Sequence, residues 1–386
     1  MGASFHGFPG LDRPAIRRRL MAWYRRTRRD LPWRRREGDG YAQLLAEFML
    51  QQTQVATVVG YFERFLSRFP AVTDLARADV GDVLALWSGL GYYRRARNLH
   101  AAARQIVEEH EGVVPRDVKA LMRLPGVGRY TAGAIASIAY GTRAAVLDGN
   151  VARVLMRLLA IDDDPKSPVL RQRLWQVAES LVPTRRCGDF NQGLMELGAT
   201  LCRPNSPACV QCPLRRECGA HALGLTGRIP RPGRRASVRS VEFVVAAIRR
   251  GRRLLFARRP LTGLWAGLWE LPSEPVRPGE SPRAARDRLR KRLLASCRLS
   301  VTPATHTTRQ LTHRRVTLHV YMGGVAPPAS THQPRRSFAR DGRLPAKRFR
   351  RSAGSSPCPA RWLEPSDLPS VGISRATHAV LKLLSF

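Results

Sequence analysis

Glu47 stands in the apolar run Leu44-Leu45-Ala46-Glu47-Phe48-Met49-Leu50. Such a glutamate either turns to solvent, the usual outcome, or is enclosed. Enclosure disfavours its charged form and raises its pKa, which would make it a proton donor near neutral pH. A second carboxylate, Asp148, lies in Leu147-Asp148-Gly149-Asn150-Val151, just ahead of a helical pattern starting near Asn150. Locally it reads as a helix N-cap; beside an anion-gripping turn it could instead face a sugar. The third group is Cys202, Cys209, Cys212 and Cys218, spaced C-x6-C-x2-C-x5-C. Four thiols so close in sequence are metal ligands. Zinc is the default, but a single compact run with Pro204, Pro207 and Pro213 between the ligands favours an iron-sulfur cluster over paired zinc ribbons. Cys187, Cys297 and Cys358 have no partner spacing.

The element that must position Asp148 covers residues 119–155. Residues 121–124 close a short helix, Pro125-Gly126-Val127-Gly128 make a tight turn, and residues 130–140 start a second helix rich in small side chains. Gly126 and Gly128 allow left-handed dihedrals and close backbone approach. The unpaired N–H groups of the second helix would then face an anion such as a DNA phosphate. An ordinary helical hairpin with a glycine cap has the same pattern. Upstream, residues 14–28 form an amphipathic helix leading into Leu31-Pro32-Trp33-Arg34, and residues 41–65 read as helical throughout. The amides of Gln51, Gln52 and Gln54 suit base edges. Tyr92 and Tyr93 follow glycines at a helix junction beside arginines, where an aromatic can wedge into a base stack or pack in a core. For Tyr93 the core is preferred. Helices continue over 170–181 and 191–201.

The chain has 386 residues, enough for two or three domains. Its 66 Lys and Arg against 29 Asp and Glu give a net charge of +37, so a polyanion is the expected partner. The Arg-rich stretch 13–36 could pass for a transit peptide, yet Ile16, Leu20, Trp23 and Tyr24 already have helical spacing, and no apolar h-region precedes them. No apolar run is long enough to span a bilayer, which sets membrane proteins aside. A reduced, cytoplasmic setting of bacterial type is expected, with the cysteines as ligands or free thiols.

The segments LPGVGRYTAGAI, LDGNVARVL, AEFMLQQTQV, LWSGLGYYRRARNL, FNQGLMELG and the four-cysteine run together resemble the MutY adenine glycosylases of the endonuclease III superfamily. The likeness covers about residues 16–225 and resumes in the tail. It implies an all-α helix-hairpin-helix region holding a 4Fe-4S cluster at Cys202, Cys209, Cys212 and Cys218. The implied activity is excision of adenine mispaired with 8-oxoguanine or guanine. Carried onto this sequence, Glu47 falls on the general acid, Asp148 on the carboxylate that stabilises the sugar cation, and Asn150 on a residue hydrogen-bonded to them. Tyr130 occupies a position that is Lys in the lyase branch. Gln52 and Tyr92 match residues inserted into the duplex, and Arg34, Thr53, Gly126 and Gly128 join them on the DNA-binding side. The implied partner is double-stranded DNA with an A:8-oxoG or A:G mispair, bound by a monomer without membrane.

Composition changes after Gly224. Expected domains are an all-α region over 1–226 (a six-helix lobe at 34–145 and a cluster lobe from 1–33 and 146–226), a linker at 227–240, and an α+β domain at 241–386. Strands are expected at 241–248, 254–258 and 316–321, and helices at 282–294 and 374–384. This order resembles the Nudix-like domain at the MutY C terminus. A Nudix hydrolase needs clustered glutamates for magnesium, but GESPRAARDRLRKRLL offers only Glu280 and Asp287 among six Arg and Lys, so damage reading is the expected role. The resemblance sets Leu311-Thr312-His313 where relatives have a Phe-Ser-His element contacting 8-oxoguanine; a solvated turn is the plain alternative. Residues 327–359 read as a basic insertion. Two other functions stay open: a thymine or damaged-pyrimidine glycosylase, and a catalytically silent DNA-binding protein. Retention of both Glu47 and Asp148 argues against the second.

Overall fold

Five of the chain's aspartates set helix starts. Asp12, Asp39, Asp79, Asp117 and Asp148 each cap a helix by accepting a backbone N–H of its first turn. The computed structural model describes residues 11–231, 238–293, 297–311, 313–325 and 359–386. Thr312 and all of the 327–359 segment except Pro359 fall outside these residues.

In chain order the helices are α1 (Arg13–Thr27), α2 (Gly40–Leu50), α3 (Val55–Arg68), α4 (Val72–Arg77), α5 (Val80–Leu86), α6 (Arg94–His110), α7 (Val118–Arg123), α8 (Arg129–Tyr140), α9 (Gly149–Leu158), α10 (Pro168–Leu181), α11 (Cys187–Thr200) and α12 (Gly219–Ala222). The expected single run at 41–65 is two helices, α2 and α3. Gln52 breaks it with a left-handed φ of 57°, which a helix interior cannot hold. Tyr92, at φ 50°, likewise precedes α6 rather than lying in it.

Two compact units divide the chain: residues 1–77 with 98–235, and residues 78–97 with 236–386. The reading above keeps 78–97 in the helical lobe of 34–145, but their contacts lie with the C-terminal part. Ser88 Oγ and Tyr93 OH donate to Ile373 O at 2.9 and 3.0 Å, and Arg97 donates to Ala266 O at 2.6 Å. Tyr93 is thus a buried packing residue, as preferred from its sequence.

In the first unit, every α2 residue from Gly40 to Met49 is buried. A helix apolar on all sides needs such enclosure, and Glu47 is carried into the interior with it. A neighbouring core joins Ile16, Leu20, Trp23 and Tyr24 of α1 to Val151, Val154 and Leu155 of α9 and to Leu170, Leu174, Phe190 and Leu194 of α10 and α11.

The second unit is built on strands β1 (Arg239–Arg250), β2 (Arg253–Arg258), β3 (Trp269–Glu270), β4 (Ser273–Pro275), β5 (Cys297–Leu299), β6 (Thr305–Gln310), β7 (Arg314–Val325) and β8 (Ala360–Leu363). They form one sheet in the order β3-β2-β1-β7-β5, with β1 and β7 parallel and β4, β6 and β8 paired to β1, β7 and β2. Helices α13 (Pro282–Arg292) and α14 (Arg375–Leu383) cover its two faces. Alternation along β1 explains its unbroken apolar run. Val244, Ala246 and Ile248 pack with Ala285 and Leu289 of α13, while Phe243, Val245 and Ala247 pack with Ala376 and Val380 of α14.

Candidate active site and cysteine loop

Glu47 is 3% exposed. Gln43, one turn earlier on α2, donates Nε2 to its Oε1 at 2.8 Å, and its Oε2 is buried without a hydrogen-bond partner. Burial pushes the Glu47 carboxyl up to about 7; neighbouring Tyr130 and Gln43 pull it down, and the Asp148 charge adds to the rise. Tyr130, on the first turn of α8, donates its hydroxyl to Met195 Sδ at 3.2 Å. Burial, then the Glu47 and Asp148 charges, hold this phenol well above its ordinary range.

Asp148 caps its helix, as its local sequence suggests, and keeps its second oxygen for a neighbour. Its Oδ1 accepts from Val151 N at 2.7 Å, capping α9, while Oδ2 accepts from Asn150 Nδ2 at 3.0 Å. Burial raises its pKa, opposed by those two bonds and by the charge of Arg153. Arg153, which the sequence reading passed over, donates to Asn150 Oδ1 and Gly198 O at 2.8 Å and, through Nε, to Cys202 O at 2.8 Å. α11 can come this close because Gly198 has no Cβ; one would lie 2.7 Å from Asn150 Cβ. Hydrogen bonds therefore run from Asp148 through Asn150 and Arg153 to the cysteine segment.

A turn further along α9, Arg157 is 2% exposed. It donates to Cys202 Sγ at 3.3 Å, to Arg203 O at 2.7 Å, to Pro204 O at 3.1 Å and to Ile229 O at 2.7 Å. The legible signal for both residues is a pair of arginines at i,i+4 on an otherwise apolar helix. Burial pushes the Cys212 thiol up to about 12, and the charges of Cys202, Cys218 and Cys209 add to the rise. Among the described residues no three Cys, His, Asp or Glu side chains converge as a site for a single metal ion. Four partly buried sulfurs in one short loop nevertheless fit an iron-sulfur group, whose positive core would offset part of their charge as thiolates.

The hairpin joins α7 to α8. Gly126 has φ +79°, and a Cβ there would lie 2.7 Å from Asn98 Nδ2. Gly128 departs from expectation: it is extended, at φ −93° and ψ 176°, and a Cβ on it would meet nothing within 4 Å. Gln52 is exposed, and Thr53 Oγ1 donates to Gln51 O at 3.5 Å. Tyr92 is 41% exposed, with the Arg95 guanidinium 5.4 Å from its ring centroid. Arg34, expected on the DNA side, is bound into the fold. Its fork donates to Glu196 Oε2 at 2.8 Å, Gln192 Oε1 at 3.0 Å and Arg29 O at 2.9 Å, so one donor on each of its three nitrogens is engaged inside the fold. His313 is exposed in the turn between β6 and β7, and its carbonyl accepts from Arg239 N at 3.2 Å.

Residues 45–180 match the family model described as HhH-GPD superfamily base excision DNA repair protein, and residues 244–383 match a NUDIX domain. The chain is 36% identical to an adenine DNA glycosylase of Homo sapiens over 444 aligned positions, covering 99% of this chain and 76% of the human protein. It is 37% identical to the adenine DNA glycosylase of Rattus norvegicus, covering 98% and 80%. Among solved structures, a thermostable thymine-DNA glycosylase superposes with a TM-score of 0.50 and 30% identity, over 55% of this chain and 97% of that one.

Proposed function

This chain belongs to the adenine DNA glycosylases and removes adenine from DNA in base excision repair, and from that premise we propose that its substrate is adenine opposite 8-oxoguanine, with guanine as the lesser partner. The observation that carries the mechanism is the raised, enclosed Glu47 beside an Asp148 whose two oxygens are already bonded. Breaking an N-glycosidic bond requires a proton for the leaving base and an anion near the cationic sugar. Glu47 gives its proton to adenine, and Asp148 stabilises the sugar cation while Asn150 holds it in place. Tyr130 walls the pocket.

The base must leave the stack before either carboxyl can reach it. Gln52 and Tyr92 suit insertion into the gap: both are solvent-facing and both hold the uncommon left-handed backbone that gathers at functional sites. The open space at Gly128, at the N terminus of α8, suits a backbone phosphate. Cys202, Cys209, Cys212 and Cys218 would hold a 4Fe-4S cluster, which when bound would tie the four sulfurs together and fix the shape of a basic loop. The Nudix-like domain reads the damaged base through Thr312 and His313 rather than hydrolysing nucleotides. Its acids support this, since Glu274 and Glu280 pair with Arg288, Glu274 also pairs with Arg292, and Asp287 pairs with Arg286.

Excision rates on duplexes holding A:8-oxoG, A:G, T:G and A:T test the reading. Fast release from A:8-oxoG, slower release from A:G and none from the other two are expected; turnover of T:G would move the assignment to thymine. Replacing Thr312 and His313 together by Ala should cut the preference for A:8-oxoG over A:G roughly ten-fold, as loss of one or two good polar contacts to a base does. Equal loss on both duplexes would locate lesion reading elsewhere.

A further inference from the structure

Several arginines of the second unit are paired: Arg286, Arg288 and Arg292 of α13 as above, Arg253 with Glu364 and Arg259 with Glu270. Arg249, Arg250, Arg252 and Arg298 are exposed, and none has an ion pair among the described residues. All four lie at one end of the sheet.

Register explains how they gather. β1 turns into β2 at Gly251 and Arg252, with Gly251 at φ 59° and Arg250 opposite Arg253. Across the sheet, Arg249 pairs with Gly324 of β7, and Gly324 pairs with Arg298 of β5. Directly paired residues share a face, so Arg298, Gly324 and Arg249 form one row, with the two arginine Cα atoms about 10 Å apart. A Cβ on Gly324 would meet nothing within 4 Å, and its φ is not left-handed. Neither packing nor backbone conformation requires glycine there. Its neighbour Gly323 differs, since a Cβ on it would lie 2.6 Å from Arg298 O. The row is therefore a bare backbone floor between two long cationic arms, a shape that admits a phosphate to both guanidinium forks.

We propose that Arg249, Arg298 and the Gly324 floor, with Arg250 and Arg252 at the hairpin tip, form a second seat for the DNA phosphate backbone. Along β7, Gly324 stands ten residues after Arg314, which lies beside the His313 turn. At about 3.3 Å per residue the seat lies roughly 33 Å from that turn. That length is close to one turn of duplex, about 34–36 Å, so the seat grips flanking DNA and does not touch the mispair.

Titration of an undamaged 30-base-pair duplex between about 50 and 200 mM salt tests this on the full chain. Each phosphate no longer neutralised lowers the log–log salt slope by about 0.9. Arg249 and Arg298 together hold one phosphate, so Arg249→Ser with Arg298→Ser should flatten it by about one. Single-turnover adenine excision at saturating enzyme should be unchanged. Gly324→Val fills the floor without altering charge and should weaken binding as well. A control pair, Arg104→Ser with Arg171→Ser, removes the same charge elsewhere and should leave the slope near that of the parent. An unchanged slope in the Arg249/Arg298 variant would overturn the proposal and leave the patch to an acidic protein. A normal affinity in Gly324→Val, joined to an equal loss in the control pair, would overturn it as a general charge effect.

Discussion

Asn150 donates through Nδ2 to Asp148 Oδ2 at 3.0 Å, leaving Oδ1 to the Val151 N–H at 2.7 Å. Each carboxylate oxygen thus has a donor before any substrate arrives. Arg153 extends the arrangement by donating to Asn150 Oδ1, which fixes which end of the amide faces Asp148. The carboxylate is held in one orientation, and these donors offset part of the rise in pKa that burial causes.

Asp148→Asn should therefore separate its two roles. Asn caps helices about as well as Asp, so the melting temperature should stay close to that of the parent chain. Excision should fall by roughly 10²-fold or more, the scale seen when one preorganised electrostatic group is removed. Single-turnover kinetics beside a thermal melt decide it. Normal excision with a lowered melting temperature would make Asp148 only a cap.

Glu47 predicts opposite effects on stability and activity. The unfolded chain ionises Glu47 near 4.5, whereas the folded chain holds the proton to about 7. Between these values the unfolded state sheds a proton the folded state keeps, so stability is lost as pH rises; above about 7 the loss is complete. The difference amounts to about 3 kcal/mol. Glu47→Gln removes that penalty and should be more stable than the parent chain at pH 8, while excision drops by roughly 10²- to 10⁴-fold. For the parent chain, the single-turnover rate should fall as pH passes 7, because the proton donor is then empty. A rate that rose across this range would assign Glu47 as a base.

Much of this site was legible because its signals are local. An acid in an apolar helix, a Pro-Gly-Val-Gly turn and four spaced cysteines can each be read within a few residues, and periodicity located most of the helices. What escaped depends on contacts distant in sequence. Arg153 and Arg157 stand out only as an i,i+4 pair on an apolar helix, and their partners appear when α9 meets the cysteine loop some 45 residues later. Arg34 has the type and neighbours of a phosphate ligand, yet Glu196, 162 residues away, takes its fork. The break at Gln52 was invisible for another reason: apolar spacing continues across it, and a single left-handed residue leaves no mark in periodicity.

Efficient strand cleavage should be absent. Opening the sugar through a Schiff base needs a lysine amine in the pocket. Tyr130 stands at the lyase position, and no Lys occurs between Lys119 and Lys166. Borohydride treatment during turnover should trap little or no covalent DNA adduct, and abasic product should accumulate uncut until heat or base is applied. Robust trapping would require an amine from elsewhere in the chain.

The cysteine loop gives the remaining prediction. Arg157 is buried and donates to one of the four sulfurs and to the carbonyls of Arg203 and Pro204, so its charge and the loop's conformation depend on each other. With four thiolates holding an iron-sulfur group, the buried guanidinium is matched by negative charge. Without that group, burial holds the Cys212 and Cys218 thiols above their ordinary pKa and so protonated, and the guanidinium is left poorly compensated. Freshly purified protein should be brown, with iron and inorganic sulfide near four each per chain if the cluster is 4Fe-4S. Cys212→Ser and Arg157→Gln should both lower iron content and melting temperature, the cysteine variant more so because it removes a ligand outright. Colourless protein with stoichiometric zinc, and an Arg157→Gln variant as stable as its parent, would replace the cluster with a zinc site and leave Arg157 as a simple loop brace.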